Sequence, residues 1–147
     1  MRIRLIGPGD MATWCAMRHA LWPDAAERDL IREGQAYFDS ASSLQAVFLG
    51  EVASGEPSGM LELSLRSVAE GCRTTPVPYV EGWYVVPEAR RGGMGRCLMA
   101  AAEQWARERG YTEIASDAVI DNHVSERAHL ALGFAEVERA MHFRKEL

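Results

Sequence analysis

The chain alternates short apolar runs with amphipathic stretches, and this pattern predicts a sheet flanked by helices. Runs with strand periodicity cover residues 2–6, 44–52, 58–66, 79–86 and 112–116, with a last strand from Ala135. A polar turn at residues 54–57 joins two of these runs as a hairpin. The expected fold is α+β, with a mostly antiparallel central sheet and helices on both faces.

Four segments have the spacing of amphipathic helices. The first begins at Asp10, a residue type that commonly caps helices, and ends before Pro23. Asp24 and Glu27 are spaced as a capping box for a second helix that extends to about residue 38. The other two cover residues 95–109 and 124–132, and Gly133 suits the position just after a helix C-terminus.

Length and composition limit the class of protein. With 147 residues and 48% hydrophobic residues, the chain is predicted to form one domain, residues 1–147. No apolar run approaches the roughly 18 residues of a membrane span, and no signal-peptide core is present, so no membrane partner is expected. Three cysteines without Cys-x-x-Cys spacing indicate reduced thiols in a cytoplasm and no metal site. A net charge of −5 disfavours nucleic acid and suits a cationic partner.

The most specific motif follows the strand at residues 79–86. Pro87 ends that strand, and a turn rich in glycine and arginine leads into the third helix. This arrangement aims unpaired backbone N–H groups at an anion, with the helix dipole behind them. It predicts a ligand that carries a pyrophosphate. The residues of the motif are Arg90, Arg91, Gly92, Gly93, Met94, Gly95 and Arg96.

The spacing of the glycines narrows the choice of nucleotide. It matches neither the Gly-x-Gly-x-x-Gly of dinucleotide sites nor a P-loop, because no lysine follows Gly95. Arg90-x-x-Gly93-x-Gly95 instead resembles the acetyl-CoA signature of the GNAT superfamily of N-acetyltransferases. A second match runs from Asn122 to Phe134, with an Asn after a strand, a short helix and Leu-Gly-Phe. The glycine-rich turn alone also fits an ordinary strand–turn–helix corner with surface arginines, whereas two motifs in the family's order favour the superfamily.

The resemblance implies the GNAT acyltransferase fold, acetyl-CoA as cosubstrate and no metal. It assigns coenzyme binding to Trp83, Tyr84 and Val85 on the strand, to the turn described above and to Asn122. His129 lies where many GNAT enzymes carry a tyrosine that protonates the leaving thiolate, so the resemblance makes it the expected general acid. The alternative is a histidine that only fills the core.

Several segments resemble the aminoglycoside 6′-N-acetyltransferases within the superfamily. They include Leu21-Trp22-Pro23, the strand that begins near Glu81, the Ala115-Ser116-Asp117 segment and the acidic stretch around Glu138. The resemblance implies that Trp22 lies against a sugar ring. Glu81, Asp117 and Glu138 would form an acidic pocket for a polycationic antibiotic. Asp117 would anchor the reacting ammonium or accept its proton.

The implied reaction is direct acetyl transfer to the 6′-amine of an aminoglycoside in a ternary complex, and enzymes of this type are commonly homodimers. Two other functions share the coenzyme motifs. One is acetylation of another small amine, a polyamine or a protein N-terminus, which would change only the acidic pocket. The other is a non-catalytic acyl-CoA sensor.

Overall fold

One five-stranded sheet forms the centre of the molecule in the computed structural model, which describes all 147 residues. Neighbouring strands are antiparallel except β4 and β5, which are parallel because a helix crosses between them. The strand order in the sheet is the order in the chain. The strands are β1 (Arg2–Leu5), β2 (Leu44–Glu51), β3 (Pro57–Arg66), β4 (Val77–Val85) and β5 (Ala115–Ser116).

Helices cover both faces of this sheet, as the sequence predicts. They are α1 (Met11–Leu21), α2 (Glu27–Phe38), α3 (Met94–Glu108) and α4 (His123–Ala131). On one face, α3 packs over a core that includes Leu61 and Leu98. On the opposite face, α1 and the end of α2 cover a second core around Trp14, Leu49 and Met60. The α+β prediction with a mostly antiparallel sheet is therefore confirmed.

A β-bulge in β4 controls which residues face each core. Gly82 lies opposite Glu62 and Val80 lies opposite Leu63, so Glu81 is an extra residue without a partner in β3. An uninterrupted strand turns residues three apart to opposite faces. Because of the bulge, Val80 and Trp83 both face the core under α3. Glu81 and Gly82 instead lie on the side of α1.

The strands β4 and β5 pair over only two positions. Tyr79 lies beside Ala115 and Val80 beside Ser116, and the two strands separate beyond this point. We call the space beyond Val80 and Ser116 the β4–β5 cleft. The cleft opens towards the N-terminus of α3, because the chain leaves the end of β4 through the glycine turn into that helix.

One predicted helix cap is correct in position only, and the other is wrong. Asp10 is the N-cap residue of α1, as predicted, but its carboxylate makes no capping hydrogen bond and instead accepts hydrogen bonds from Arg4, at 2.7 and 2.8 Å, and from the Gly7 N–H at 2.8 Å. The carboxylate oxygens of Asp10 are therefore bonded to the Arg4 guanidinium and to the preceding turn, and not to the first N–H groups of the helix. The second helix begins at Glu27 itself, which leaves Asp24 outside the helix and excludes the predicted capping box.

The strand predicted from Ala135 is absent, and the predicted strand at residues 112–116 is only two residues long. Residues 135–147 adopt no helix or strand and expose Val137, Met141 and Phe143. A strand needs a neighbour for its N–H and C=O groups, and the short β5 offers few such groups on its free edge. Apolar periodicity therefore predicted a strand for which this single chain offers no neighbouring strand to pair with.

Candidate active site

The turn between β4 and α3 presents a row of free backbone donors. No N–H group from Arg91 to Arg96 donates to a protein acceptor, and the first donor of this helix is the Cys97 N–H, 3.0 Å from the Gly93 carbonyl. Gly93 has φ +90°, in the left-handed region that favours glycine. The left-handed turn directs the chain into the helix while its N–H groups stay unpaired, which is the geometry of an anion nest.

The three arginines of this turn add positive charge that no carboxylate neutralises. Arg90, Arg91 and Arg96 are exposed and take part in no salt bridge. Arg90 is held over the end of β4, where its Nε donates to the Val85 carbonyl at 2.9 Å and its guanidinium lies 5.9 Å from the Tyr84 ring. Free donors and unpaired guanidinium groups suit a strongly anionic ligand.

Trp83 connects the turn to the β4–β5 cleft. A side-chain carbon on Gly95 would lie only 3.1 Å from the indole, so the glycine allows α3 to approach β4 this closely. The Nε1–H of Trp83 is buried and has no hydrogen-bond partner in the protein. An unsatisfied buried donor beside free backbone donors fits the acceptor-rich coenzyme of the GNAT signature.

His129 of α4 lies on the other side of the cleft. Its ring contacts Trp83 and Phe134 edge-on, each at 5.2 Å between ring centroids. Its Nδ1 lies 2.8 Å from the Ser125 carbonyl oxygen, and its Nε2 lies 2.8 Å from the Ser116 hydroxyl. The predicted general acid is thus fixed beside the predicted coenzyme residue Trp83.

Asn122 takes a structural position at the start of α4. Its side-chain oxygen accepts a hydrogen bond from the Ser125 N–H at 3.0 Å, which makes it the N-cap of the helix. This contact stabilises the start of α4, the helix that carries His129. Gly133 follows the helix with φ +89°, at the position predicted for it.

A cavity of about 630 Å³ lies on the face of β4 that is turned towards α1. It brings together Trp22 and Glu81, two residues that the sequence predicted for the acceptor site. The edge of the Trp22 ring lies against Gly82, where a side-chain carbon would be 2.9 Å from the indole. Three further charged residues line the cavity, namely Arg18, Glu33 and Glu62.

Glu81 is not a free carboxylate. It accepts hydrogen bonds from the Ser64 hydroxyl and from Arg66, whose Nε and NH2 lie 2.9 and 2.7 Å away. Burial by itself raises the pKa of Glu81, but these hydrogen bonds outweigh burial and hold the pKa below its ordinary value. An incoming ammonium therefore meets an ionised carboxylate that already has a counterion.

Asp117 connects to the same group of charges. It is exposed and accepts a hydrogen bond from the Tyr79 hydroxyl at 3.1 Å, and the Arg66 guanidinium stacks 3.6 Å from the centre of the Tyr79 ring. Burial, followed by the Asp117 charge, raises the pKa of Tyr79 to about 12. Glu138 lies in the exposed segment 135–147 and makes no hydrogen bond or ion pair with these residues. The structure thus joins Asp117 to Glu81 and leaves Glu138 apart.

A buried ion pair, formed by Arg18 and Glu62, is part of the wall of this cavity. Glu62, 1% exposed, accepts a hydrogen bond from Trp14 Nε1 at 2.7 Å, and Arg18 Nε lies 2.9 Å from it at an angle that is poor for a hydrogen bond. Burial raises the pKa of Glu62, and Arg18 opposes this effect. The Arg18 guanidinium lies 5.3 Å from the rings of both Trp14 and Trp22. Arg18 therefore couples Trp22 to the core.

Two of these residues, Arg18 and Arg66, were not predicted from the sequence. Arg18 stands four residues from both Trp14 and Trp22, and this spacing places the three side chains on one helix face, so the pattern contained a signal. Arg66 had no such signal, because its partner Glu81 is 15 positions away and the bulge sets their alignment. No three His, Cys, Asp or Glu side chains are grouped to hold a metal ion. No helix has the length and apolar character needed to cross a membrane.

A sheet that opens between β4 and β5, beside a helix N-terminus with free donors, defines an acyl-CoA-dependent type of transferase. The chain matches the Acetyltransferase (GNAT) family over residues 14–134, and it belongs to that family. It is 45% identical over 146 residues to an aminoglycoside N(6′)-acetyltransferase type 1 of Klebsiella aerogenes, covering 99% of this chain and 96% of the relative.

Two solved structures are also similar. One is AAC(6′)-Iy in complex with the bisubstrate analog CoA-S-monomethyl-acetylneamine, with a TM-score of 0.89, 33% identity, and coverage of 99% of this chain and 98% of that one. The other is the aminoglycoside 6′-N-acetyltransferase AAC(6′)-Ih of Acinetobacter baumannii, with a TM-score of 0.86, 35% identity and the same coverage.

Proposed function

We propose that this protein transfers an acetyl group from acetyl-CoA to the 6′-amine of aminoglycoside antibiotics, with residues 1–147 acting as one acetyltransferase domain. The observation that carries the proposal is the likeness along the whole chain to enzymes of that name, one of them in complex with a CoA–aminoglycoside analogue. The two sites described above agree with it, because one offers donors to an anion and the other offers carboxylates to a cation.

The donor side is assigned to the turn and to β4. The free N–H groups from Arg91 to Arg96 and the unpaired guanidinium groups bind the pyrophosphate of acetyl-CoA. Trp83, Tyr84 and Val85 line the thioester arm, and a backbone N–H of this stretch donates to the oxyanion. Such a donor is worth roughly 3 kcal/mol of transition-state stabilisation.

The acceptor side is assigned to the cavity under α1. Trp22 lies against a sugar ring, and Glu81 with Glu33 attracts the ammonium groups of the antibiotic. Asp117, one residue beyond the last pair of β4 and β5, anchors the ammonium that reacts. Glu138 completes the acidic pocket only after residues 135–147 move towards it. A polycation gains from each of these carboxylates, and salt weakens those contributions.

The reaction is direct attack of the neutral 6′-amine on the thioester carbonyl, without a covalent enzyme intermediate. His129 is the general acid for the leaving thiolate, consistent with its place beside Trp83 in the β4–β5 cleft. Holding both substrates along β4 supplies much of the rate, because it makes the attack effectively intramolecular.

A homodimer in the cytoplasm is the proposed working state. Residues 135–147 expose Val137, Met141 and Phe143, with 89% of Phe143 accessible, and a second copy would cover these side chains. The three cysteines form no disulfide, which suits a reducing compartment. Light scattering at micromolar concentration is expected to give twice the chain mass, and a monomer would contradict this assignment.

A thiol-release assay tests the proposed function. With acetyl-CoA, kanamycin A and tobramycin are expected to be acetylated rapidly, and an analogue with a hydroxyl at the 6′ carbon is expected to be inert. Equal turnover of the analogue would contradict the 6′ assignment. Preference for spermidine would indicate another amine acetyltransferase, and binding of acetyl-CoA without turnover of any amine would indicate a sensor.

A further inference from the structure

Ser116 occupies the point where the two central strands separate. It is the last residue of β5 and the partner of Val80, and both strands leave the ladder immediately after this pair. The Val80 side chain faces the core under α3. Residues side by side in a sheet point to the same face, and the Ser116 hydroxyl accordingly meets α4 on that face, at His129. The hydroxyl thus lies at the base of the β4–β5 cleft.

The contacts of His129 define which nitrogen carries its proton. Nδ1 lies 2.8 Å from the carbonyl oxygen of Ser125, which accepts hydrogen bonds and cannot donate, and 3.3 Å from the Ser125 hydroxyl. The shorter contact, to the carbonyl, makes Nδ1 the protonated nitrogen. In the neutral imidazole, Nε2 is then an acceptor. It lies 2.8 Å from the Ser116 oxygen, so the Ser116 hydroxyl donates to it.

We propose that Ser116 and His129 form a relay that moves one proton from the attacking amine to the leaving sulfur. The relay rests on the proposed acetyl transfer and specifies its proton path. The Ser116 hydroxyl contacts the reacting atoms, and His129 acts through it. His129 alone as general acid would have to turn Nε2 away from Ser116, although Trp83 and Phe134 hold the ring edge-on.

The protons balance over one turnover. As the bond between the amine nitrogen and the carbonyl carbon forms, the nitrogen gives a proton to the Ser116 oxygen, and the original hydroxyl proton passes to Nε2. As the carbon–sulfur bond breaks, Nε2 returns a proton to the Ser116 oxygen, and the hydroxyl gives its proton to the thiolate. The amide and the free thiol are released, and the pair returns to its starting state.

This path leaves Asp117 in a binding role. Its carboxylate accepts from the Tyr79 hydroxyl, whereas the contacts of His129 are Ser116, Ser125 and the two aromatic rings. No hydrogen bond joins Asp117 to His129, so the two groups serve different steps. Asp117 attracts the ammonium, which loses one proton to water before it attacks as the neutral amine. The relay takes the second proton once the nitrogen has attacked.

The kinetic test compares Ser116→Ala, His129→Gln and the double variant in single-turnover acetylation at saturating acetyl-CoA. Each single change is expected to lower the rate about 100-fold, the lower end for general acid–base catalysis. The double variant is expected to match the slower single variant, because the residues act as a unit. Ser116→Thr, which keeps a hydroxyl, is expected to retain most of the rate.

Ser58→Ala is the matched control, because it removes another serine hydroxyl from a strand of the same sheet. It is expected to leave the rate unchanged. Calorimetry is expected to give the same affinity for acetyl-CoA in all variants. Rates that multiply to about a 10,000-fold loss in the double variant, or an unaffected Ser116→Ala, would overturn the relay.

Nitrogen-15 NMR of the histidine ring gives a readout that needs no turnover. A proton on Nδ1 and an Nε2 resonance that shifts in Ser116→Ala are expected, and a proton fixed on Nε2 would overturn the relay. If wild-type protein acetylates neither kanamycin A nor tobramycin, the proposed function fails. The NMR measurement on the His129 ring still tests the hydrogen bond between Ser116 and His129, and the rates of the variants are then compared with spermidine as the amine.

Discussion

Replacing Gly93 by valine most directly tests the assignment of the turn between β4 and α3 to the pyrophosphate of CoA. Gly93 has φ +90° and ψ −1°, and a β-branched residue in this region costs about 1–3 kcal/mol in backbone strain. The turn relieves such strain by rotating its peptide planes, and the rotation carries the free N–H groups away from the anion. Each charge-assisted hydrogen bond that is lost costs about 1.5–3 kcal/mol. One or two such losses raise the Kd for CoA at least about tenfold, since 1.4 kcal/mol corresponds to a factor of ten.

Gly55 provides the matched control for this change. It has φ +86° in the turn between β2 and β3, and a side chain there would meet no atom within 4 Å. Gly55→Val should therefore lose a similar free energy of unfolding, measured with urea, and keep full CoA affinity. Calorimetry with CoA separates the two variants. The reasoning is refuted if folded Gly93→Val binds CoA within threefold of wild type, or if Gly55→Val loses the same affinity.

Three further predictions concern the acceptor side and the fold. Gly82→Ala places a carbon 2.9 Å from Trp22, so the KM for kanamycin A should rise several-fold while the KM for acetyl-CoA is unchanged; equal changes would contradict the assignment. Asp117→Asn should raise the KM for kanamycin A more than it lowers kcat, and no change in either would mark Asp117 as a turn residue. The Arg4 hydrogen bonds lower the pKa of Asp10 from 3.8 to about 2, so its stabilisation is present above pH 4 and lost as pH falls towards 2. Asp10→Asn should lose about 2 kcal/mol of unfolding free energy at pH 7 and show a flatter pH dependence between 4 and 2; an unchanged profile would contradict this.

The parts that the sequence predicted well depend on short stretches of chain. The geometry of the turn between β4 and α3 needs only Pro87 to end β4, Gly93 in the left-handed region and a helix to follow, and these requirements lie within ten residues. The same holds for Asn122 and Gly133 at the two ends of α4. Particular residue types meet these local backbone requirements, so the requirements can be recognised from the sequence without a structure.

The parts that were missed depend on how distant segments align. Glu81 meets Arg66 because a bulge shifts β4 against β3, and no residue in the sequence marks that bulge. Ser116 meets His129 because α4 returns beneath β5 at a distance that spacing does not define. The strand predicted from Ala135 is absent for a related reason. Alternating apolar residues indicate that one face of a segment is suited to burial, but they do not show that a neighbouring strand is available to pair with it.

The bulge in β4 also decides which side chains face the side assigned to the coenzyme and which face the side assigned to the amine. Val80, Trp83 and Val85 face the core under α3, on the side that we assign to the coenzyme, while Glu81 and Gly82 line the face towards Trp22. A change at Glu81 or Gly82 is expected to alter which amine is accepted, while Trp83 and Val85 keep their contacts under α3. A resistance enzyme with this arrangement can broaden or narrow its range of antibiotics by single substitutions while it still binds acetyl-CoA.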